Sequence, residues 1–292
     1  MHLRNRVMDW VRAGGVGLIL STLVSTAASG ADSTSRESLA HAETLRNRAL
    51  TGTSAMTIVT SLTTEVGPRL AGSDAEARAR AWALQTLTAK GFAGVRSESF
   101  EMDAWQRHDE GAEIIAPYPQ PLAVTALGGS VPTPEAGLLS KVSVFETVED
   151  LKRAPVGSVA GRIAYVGHAM QRTQDGSSYG YFNEARTAGP SIAASKGAVG
   201  YLIRSVGTDS HRFPHTGSLR YAVDIPRIPA MALSNPDADQ IERIAADHPD
   251  VMVRMWVDSS ERPAAQSGNV IAEITGREAP EEIVVIGAHL DS

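Results

Sequence analysis

The sequence predicts an α/β protein with a smaller β-rich domain inserted into its chain. Three observations predict it. Residues 38–89 repeat apolar side chains at helical spacing and lead into an alternating, strand-like run at 95–102. Residues 111–160 change texture: Pro117, Pro119, Pro121, Pro132, Pro134 and Pro155, with Gly128, Gly129 and Gly137, cut the chain into short β-like runs. Beyond them come continuous apolar runs of strand length, the last at 283–288. At 292 residues the chain is long enough for about two domains.

The N-terminus has a character of its own. Arg4, Arg6 and Arg12 precede a short apolar core at 16–24, and the small residues 25–31 follow. This is the order of a secretory signal peptide, expected over 1–31. A membrane anchor is the alternative, but the apolar run falls well short of the roughly 20 residues that span a bilayer. Cleavage after Ala27, Ala28 or Ala31 is equally compatible. The expectation is an exported protein, periplasmic or extracellular, with no stable membrane span once the signal is removed.

Residues 32–37 are polar. A first helix is expected from Ser38, with Leu39, Ala42, Leu45 and Ala49 on one face. A second carries Ile58, Val59, Leu62 and Val66 and ends at Gly67-Pro68. Residues 67–72 read as a loop. Ser73 reads as an N-cap with Glu76 completing a capping box, and Gly91 stops that helix. Within the Pro- and Gly-punctuated region, 122–127 and 139–145 are the clearest strands. Buried strands are expected at 161–167 and 198–206. A helix lies between them at 184–196, interrupted by Gly189-Pro190. After a short extended run at 228–233, Asn235 is expected to cap a helix with Pro236 at its first position. Residues 251–257 read as a strand, 258–268 as a polar linker, and 269–275 and 283–288 as the final two strands.

The formal charge of −6 leaves no basic face for nucleic acid. There is no cysteine, so disulfides, thiolate chemistry and cysteine zinc sites are excluded. Any transition metal must be held by His, Asp and Glu. A Gly-x-Ser-x-Gly elbow, a Walker A run and a glycine-rich dinucleotide fingerprint are all lacking.

His289 is the foremost chemical candidate. It follows an apolar strand-like run, and active sites of open α/β sheets lie outside the carboxyl ends of strands. Side chains at i and i+2 of a strand share a side. Asp291 can therefore accept the second ring N–H of His289, fixing its tautomer for metal binding. A His-x-Asp triplet alone also arises by chance. The other histidines carry less: His2 lies in the signal, His41, His108 and His248 sit among charged residues, and His168 follows a strand. His211 and His215 are four apart in a loop that Pro214 keeps from being helical.

Several stretches together resemble one family. Residues 283–292 look like the first metal-ligand strand of the co-catalytic di-zinc aminopeptidase and carboxypeptidase superfamily, whose pattern there is Gly-His-Leu-Asp-Ser. Residues 65–73 are similar to that family's N-terminal loop. Residues 197–205, 214–217, 228–230 and 269–276 resemble its carboxypeptidase Q branch, also called plasma glutamate carboxypeptidase. The resemblance runs from about residue 38 to the end.

It implies the N-terminal part of a zinc-exopeptidase mixed-sheet α/β domain, interrupted by an inserted β-rich protease-associated domain. The implied boundaries are 32–118 for the first peptidase part, 119–265 for the insert and 266–292 for the resumed domain, which stops before the catalytic domain is complete. The implied chemistry is hydrolysis of dipeptides or short peptides by water activated between two zinc ions. His289 becomes a metal ligand and Asp291 its catalytic support. The remaining family ligands and general base match no residue here, so the chain alone is expected to be inactive. Family analogy alone points to a homodimer. The competing reading is a non-catalytic binding module or truncated pseudo-enzyme. Amino-, carboxy- and dipeptidase specificities all stay open.

Overall fold

The computed structural model describes residues 35–292, so the expected signal at 1–31 lies outside the described residues. The chain divides into two compact units after Thr57. The first contains α1 (Arg36–Thr51), which Ser35 caps by accepting the Ser38 N–H at 3.0 Å. The expected helix is present, but none of its residues is buried and Leu39 and Leu45 are exposed. Helix α2 (Ser54–Glu65) crosses the division. At its end the N–H groups of Val66 and Gly67 both donate to the Leu62 carbonyl, at 3.1 and 3.2 Å, and Gly67 takes φ +75°. A left-handed glycine followed by Pro68 turns the chain out of the helix. Helix α3 (Asp74–Ala89) is capped by Ser73 as expected, through the Glu76 N–H at 3.1 Å. The return half of the capping box is replaced: the buried Glu76 carboxylate pairs with Arg80 one turn on, at 2.8 Å.

The second unit is organised by two long strands. β1 (Ala93–Ala116) pairs antiparallel with the last strand of the chain, from Ala93 opposite Glu273 to Ala116 opposite Met252. Both expectations here were too short. The strand anticipated at 95–102 runs to Ala116, and the anticipated linker at 258–268 belongs to the final strand. The reason is side-chain size. The inward positions of the supposed linker are Ser259, Ala265 and Ser267, small residues that give no apolar alternation. Pro263 interrupts the pattern without breaking the ribbon. It falls with Ala264 in a bulge between the Ala104–Arg262 and Met102–Ala265 pairs, where its missing N–H costs no ladder bond. Ala264 takes φ +54° there.

Between the ribbon strands lie β2 (Gln120–Leu122), β3 (Val124–Ala126), β4 (Leu138–Phe145), α4 (Val148–Arg153), β5 (Ile163–Val166), α5 (Ser177–Thr187), α6 (Gly189–Ser195), β6 (Gly200–Arg204), β7 (Ala230–Leu233) and α7 (Asn235–Asp247). The final strand is β8 (Met252–Glu273). The eight strands form one mixed sheet in the order β2-β1-β8-β4-β5-β6-β7-β3. Strands β4 to β7 are mutually parallel, and the other pairings are antiparallel. The region expected to be β-rich is thus itself α/β. Parallel neighbours need crossovers, and helices α4 to α6 lie within those connections. The helix expected at 184–196 with an interruption at Gly189-Pro190 is two: α5 starts earlier, at Ser177, and α6 begins at Gly189 with Pro190 in its first turn. The expected domain boundary at 118/119 falls just after β1, and the one at 265/266 falls inside β8.

Strands β5 to β7 are apolar on both faces because both are covered. Ile163, Tyr165, Leu202, Met231 and Leu233 pack with Ala238 and Ile241 of α7. Ala164, Val166, Tyr201 and Ile203 pack on the other face with Leu151, Phe182 and Ala193 of α4 to α6. Polar ties lock α7 in place. Tyr165 Oη donates to Glu242 at 2.6 Å, and Arg204 donates to Asp239 at 2.6 Å and Glu242 at 3.0 Å. Burial and the Glu242 carboxylate push the Tyr165 hydroxyl well above the usual phenol range.

Two further expectations change. Ser234, not Asn235, caps α7: its Oγ accepts the Asp237 N–H at 3.3 Å and donates to Asp237 Oδ2 at 2.9 Å. Asn235 instead uses its amide to hold the carbonyls of Gly207 and Asp209 at 3.2 and 2.9 Å. The strand expected at 283–288 does not form. Among the described residues no helix is long and apolar enough to cross a membrane.

Ser234→Ala is expected to lower stability by about 1–2 kcal/mol in chemical denaturation. An unchanged midpoint would return the cap to Asn235. His168 supplies a pH dependence. Its ring meets Phe182 edge-on at 4.0 Å and its Nδ1 is buried without a partner. Burial pushes its pKa below the ordinary 6.5, against an opposing pull from Glu146 and Asp150. The fold therefore favours neutral His168. That stability is complete above about pH 6.5 and is lost as pH falls from there through the lowered folded value. Melting temperatures measured from pH 7.5 to 5 should fall less steeply for His168→Gln than for the parent, and parallel curves would remove His168 as the cause.

Candidate functional site

Residues 283–292 carry the His-x-Asp pair but no regular structure. Ile283, Val284, Val285 and Ile286 are 83–93% exposed. A β-branched run favours extended backbone, yet a strand requires a ladder, and no described residue pairs with residues 283–289. The buried strand expected to deliver His289 is therefore an exposed, unpaired stretch.

Order returns at its end. Arg69 and Ser292 exchange both backbone hydrogen bonds, Arg69 N–H to Ser292 O at 2.8 Å and Ser292 N–H to Arg69 O at 3.1 Å. That exchange is the unit of an antiparallel ladder. The Arg69 side chain adds a second tie: Nε donates to Leu290 O at 2.7 Å and Nη1 to Gly67 O at 2.9 Å. Two stretches that both resembled one family, the 65–73 loop and the 287–292 motif, thus meet although 221 positions separate Arg69 from Leu290. Sequence reasoning marked the loop but gave Arg69 no role. Its signal was a lone cation between Pro68 and Leu70 in a loop otherwise built of small and apolar residues.

Within the motif, His289 Nδ1 lies 3.0 Å from Asp291 Oδ1. The contact expected from strand geometry forms without a strand. With Nδ1 donating to the carboxylate, Nε2 carries the free lone pair. The His289 side chain is 90% exposed, so that nitrogen is open to a ligand. Beside the motif a cleft of about 430 Å³ is lined by Pro68, Leu70, Arg107, Thr216, Arg262 and Ser292. Its cations are engaged: Arg107 pairs with Glu110 at 2.8 Å and stacks over Trp105, and Arg262 reaches Asp74 at 3.5 Å.

The residues fit zinc in one respect. An imidazole held by a carboxylate is a usual zinc ligand, but a catalytic zinc takes three protein ligands. No group of three or more His, Cys, Asp or Glu suited to a metal occurs among the described residues. His289 and Asp291 are fewer ligands than such a site needs, and no hydrolytic step follows from them alone. The remaining described histidines are dispersed. His41 is exposed on α1, His108 meets Ser260 at 2.8 Å, and His248 meets the Tyr118 hydroxyl at 3.2 Å. His211 and His215 lie in the loop after β6, and His215 stands edge-on to Tyr179 rather than to a second ligand. His2 lies outside the described residues.

No family model matches the chain. It is 33% identical over 227 residues to carboxypeptidase Q of Bos taurus and 32% identical to that of Homo sapiens. Each alignment takes in 78% of this chain and 47% of the relative, so the chain spans about half the length of the curated relatives it matches. Among solved structures it is similar to the peptidase M28 precursor of Shewanella amazonensis, at 44% identity and a TM-score of 0.81, over 87% of this chain and 57% of that one. The mixed α/β fold agrees with these likenesses, and the chain is homologous to carboxypeptidase Q and to an M28 peptidase over the part of their length that it spans.

Proposed function

We propose that this chain is part of an exported, zinc-dependent exopeptidase that hydrolyses dipeptides or short peptides. The observation that carries the reading is the 3.0 Å contact of Asp291 with His289 Nδ1, which leaves Nε2 open on a segment tied to the 67–72 loop. In this reading His289 is a metal ligand, and Asp291 holds its tautomer and orientation and strengthens it as a donor. Bound zinc, two ions in the complete enzyme, supplies Lewis-acid activation of water and of the peptide carbonyl. Residues 119–265 act as a protease-associated insert whose Thr216 stands at the wall of the cleft beside Ser292. The signal-like N-terminus supports export to the periplasm or the medium, and a homodimer rests on family analogy.

One imidazole cannot assemble the hydrolytic site. The purified 292-residue chain with added zinc is therefore expected to leave Ser-Met and Lys-Ala dipeptides intact. A longer protein read through codon 292 should cleave them, and His289→Ala should reduce that cleavage to background. Hydrolysis by the 292-residue chain itself would overturn the division of labour. A stop codon directly after Ser292, with peptide binding and no cleavage, would replace the peptidase by a binding module.

A further inference from the structure

We propose that Arg69 is the positioning residue of the metal corner, acting through the Leu290 carbonyl to set the His289–Asp291 pair. The inference deepens the reading of His289 as a metal ligand and rests on it. From Ile283 to His289 the backbone makes no hydrogen bond among the described residues. The motif is fixed only from Leu290 onward, and every bond that fixes its backbone comes from Arg69. Two of them are main-chain bonds to Ser292, beyond the pair. The third, Nε to Leu290 O at 2.7 Å, grips the residue between His289 and Asp291. A carbonyl held there fixes the peptide plane leading into Asp291, and with it the direction from which the carboxylate meets Nδ1.

Arginine suits this task better than another cation. Its planar fork holds two carbonyls at once, Leu290 O and Gly67 O. Gly67 is itself fixed by its N–H bond to Leu62 at the end of α2. The side chain thus transmits the position of a helix end to the motif. A lysine, as a point charge with rotatable donors, cannot hold the two carbonyls in one plane. Arg69 touches neither substrate nor metal in this scheme, so its effect should appear in the state of the His289 ring.

The test uses the whole 292-residue chain, labelled with nitrogen-15, as the parent, Arg69→Ala and Arg69→Lys. Two quantities are read by NMR: the tautomer of the His289 ring without metal, and the zinc concentration that half-saturates its Nε2. In the parent the Nδ1–H tautomer should dominate. Both variants should lose that dominance and bind zinc about tenfold more weakly, the scale on which outer-shell partners of a ligand act. Millimolar guanidinium should restore both quantities in Arg69→Ala. A general loss of structure would lower the melting temperature and would not be rescued. Parent-like tautomer and zinc binding in either Arg69→Ala or Arg69→Lys would overturn the proposal. Should Arg69→Ala fail to fold, Arg69→Lys decides. If the parent binds no zinc at His289, the metal reading fails, while the tautomer comparison still tests Arg69.

Discussion

The pairing of β1 with β8 is the constraint on which the second unit depends. Its two strands lie more than 130 residues apart in sequence at their inner ends, where Ala116 faces Met252. Everything between them leaves and returns at adjacent points, so it can build its own parallel sheet without separating the flanks. Loop closure of that length is tolerable because its entropic cost grows only with the logarithm of length, while the ladder adds hydrogen bonds at nearly every step. The ribbon also seats the 67–72 loop. A Cβ on Gly72 would stand 2.8 Å from Ala104 Cβ and 3.0 Å from Ala265 Cβ, beside the bulge, and Gly72 has φ +75°. Only glycine meets both demands, and Arg69 lies three residues upstream of that seat.

The parts of the fold that were legible in the sequence are those whose burial is apolar and whose ends are chemically marked. Strands β5, β6 and β7 are continuous apolar runs covered on both faces. Helices α2 and α3 end and begin at Gly67-Pro68 and Ser73, residues whose backbone chemistry leaves few alternatives. The ribbon was hidden for the converse reason. Its outer half is held by backbone pairing and by inward Ser259, Ala265 and Ser267, which are invisible to a search for apolar alternation. At α7 two adjacent capping residues competed. Only the tertiary contacts of Asn235 with Gly207 and Asp209 decide that Ser234 takes the cap.

The His-x-Asp pair was legible because its geometry is local. The i, i+2 contact needs an extended backbone and nothing beyond it, and it forms although the strand around it does not. Its anchor was not legible. The bond from Arg69 to Leu290 joins two loops with no periodicity, and the sequence offered only a family-like flavour at each end. What the sequence misjudged was the run at 283–286, where apolar character was read as burial. Apolar character states what a segment would gain from cover, and the cover must come from elsewhere.

That distinction sets the energetic character of the His-x-Asp motif. Burying a large aliphatic side chain is worth roughly 1.5–3 kcal/mol, so the four exposed residues from Ile283 to Ile286 hold about 6–12 kcal/mol that the described contacts do not realise. This is comparable with the whole stability of a typical domain, about 5–15 kcal/mol. In its place the motif relies on a few hydrogen bonds from Arg69, each contributing about 1 kcal/mol net. The order of residues 290–292 is therefore polar in origin, and it reaches no further back along the chain than those bonds do. The direction of His289 depends on its bond to Asp291, and the direction of Asp291 depends on the peptide that Arg69 holds.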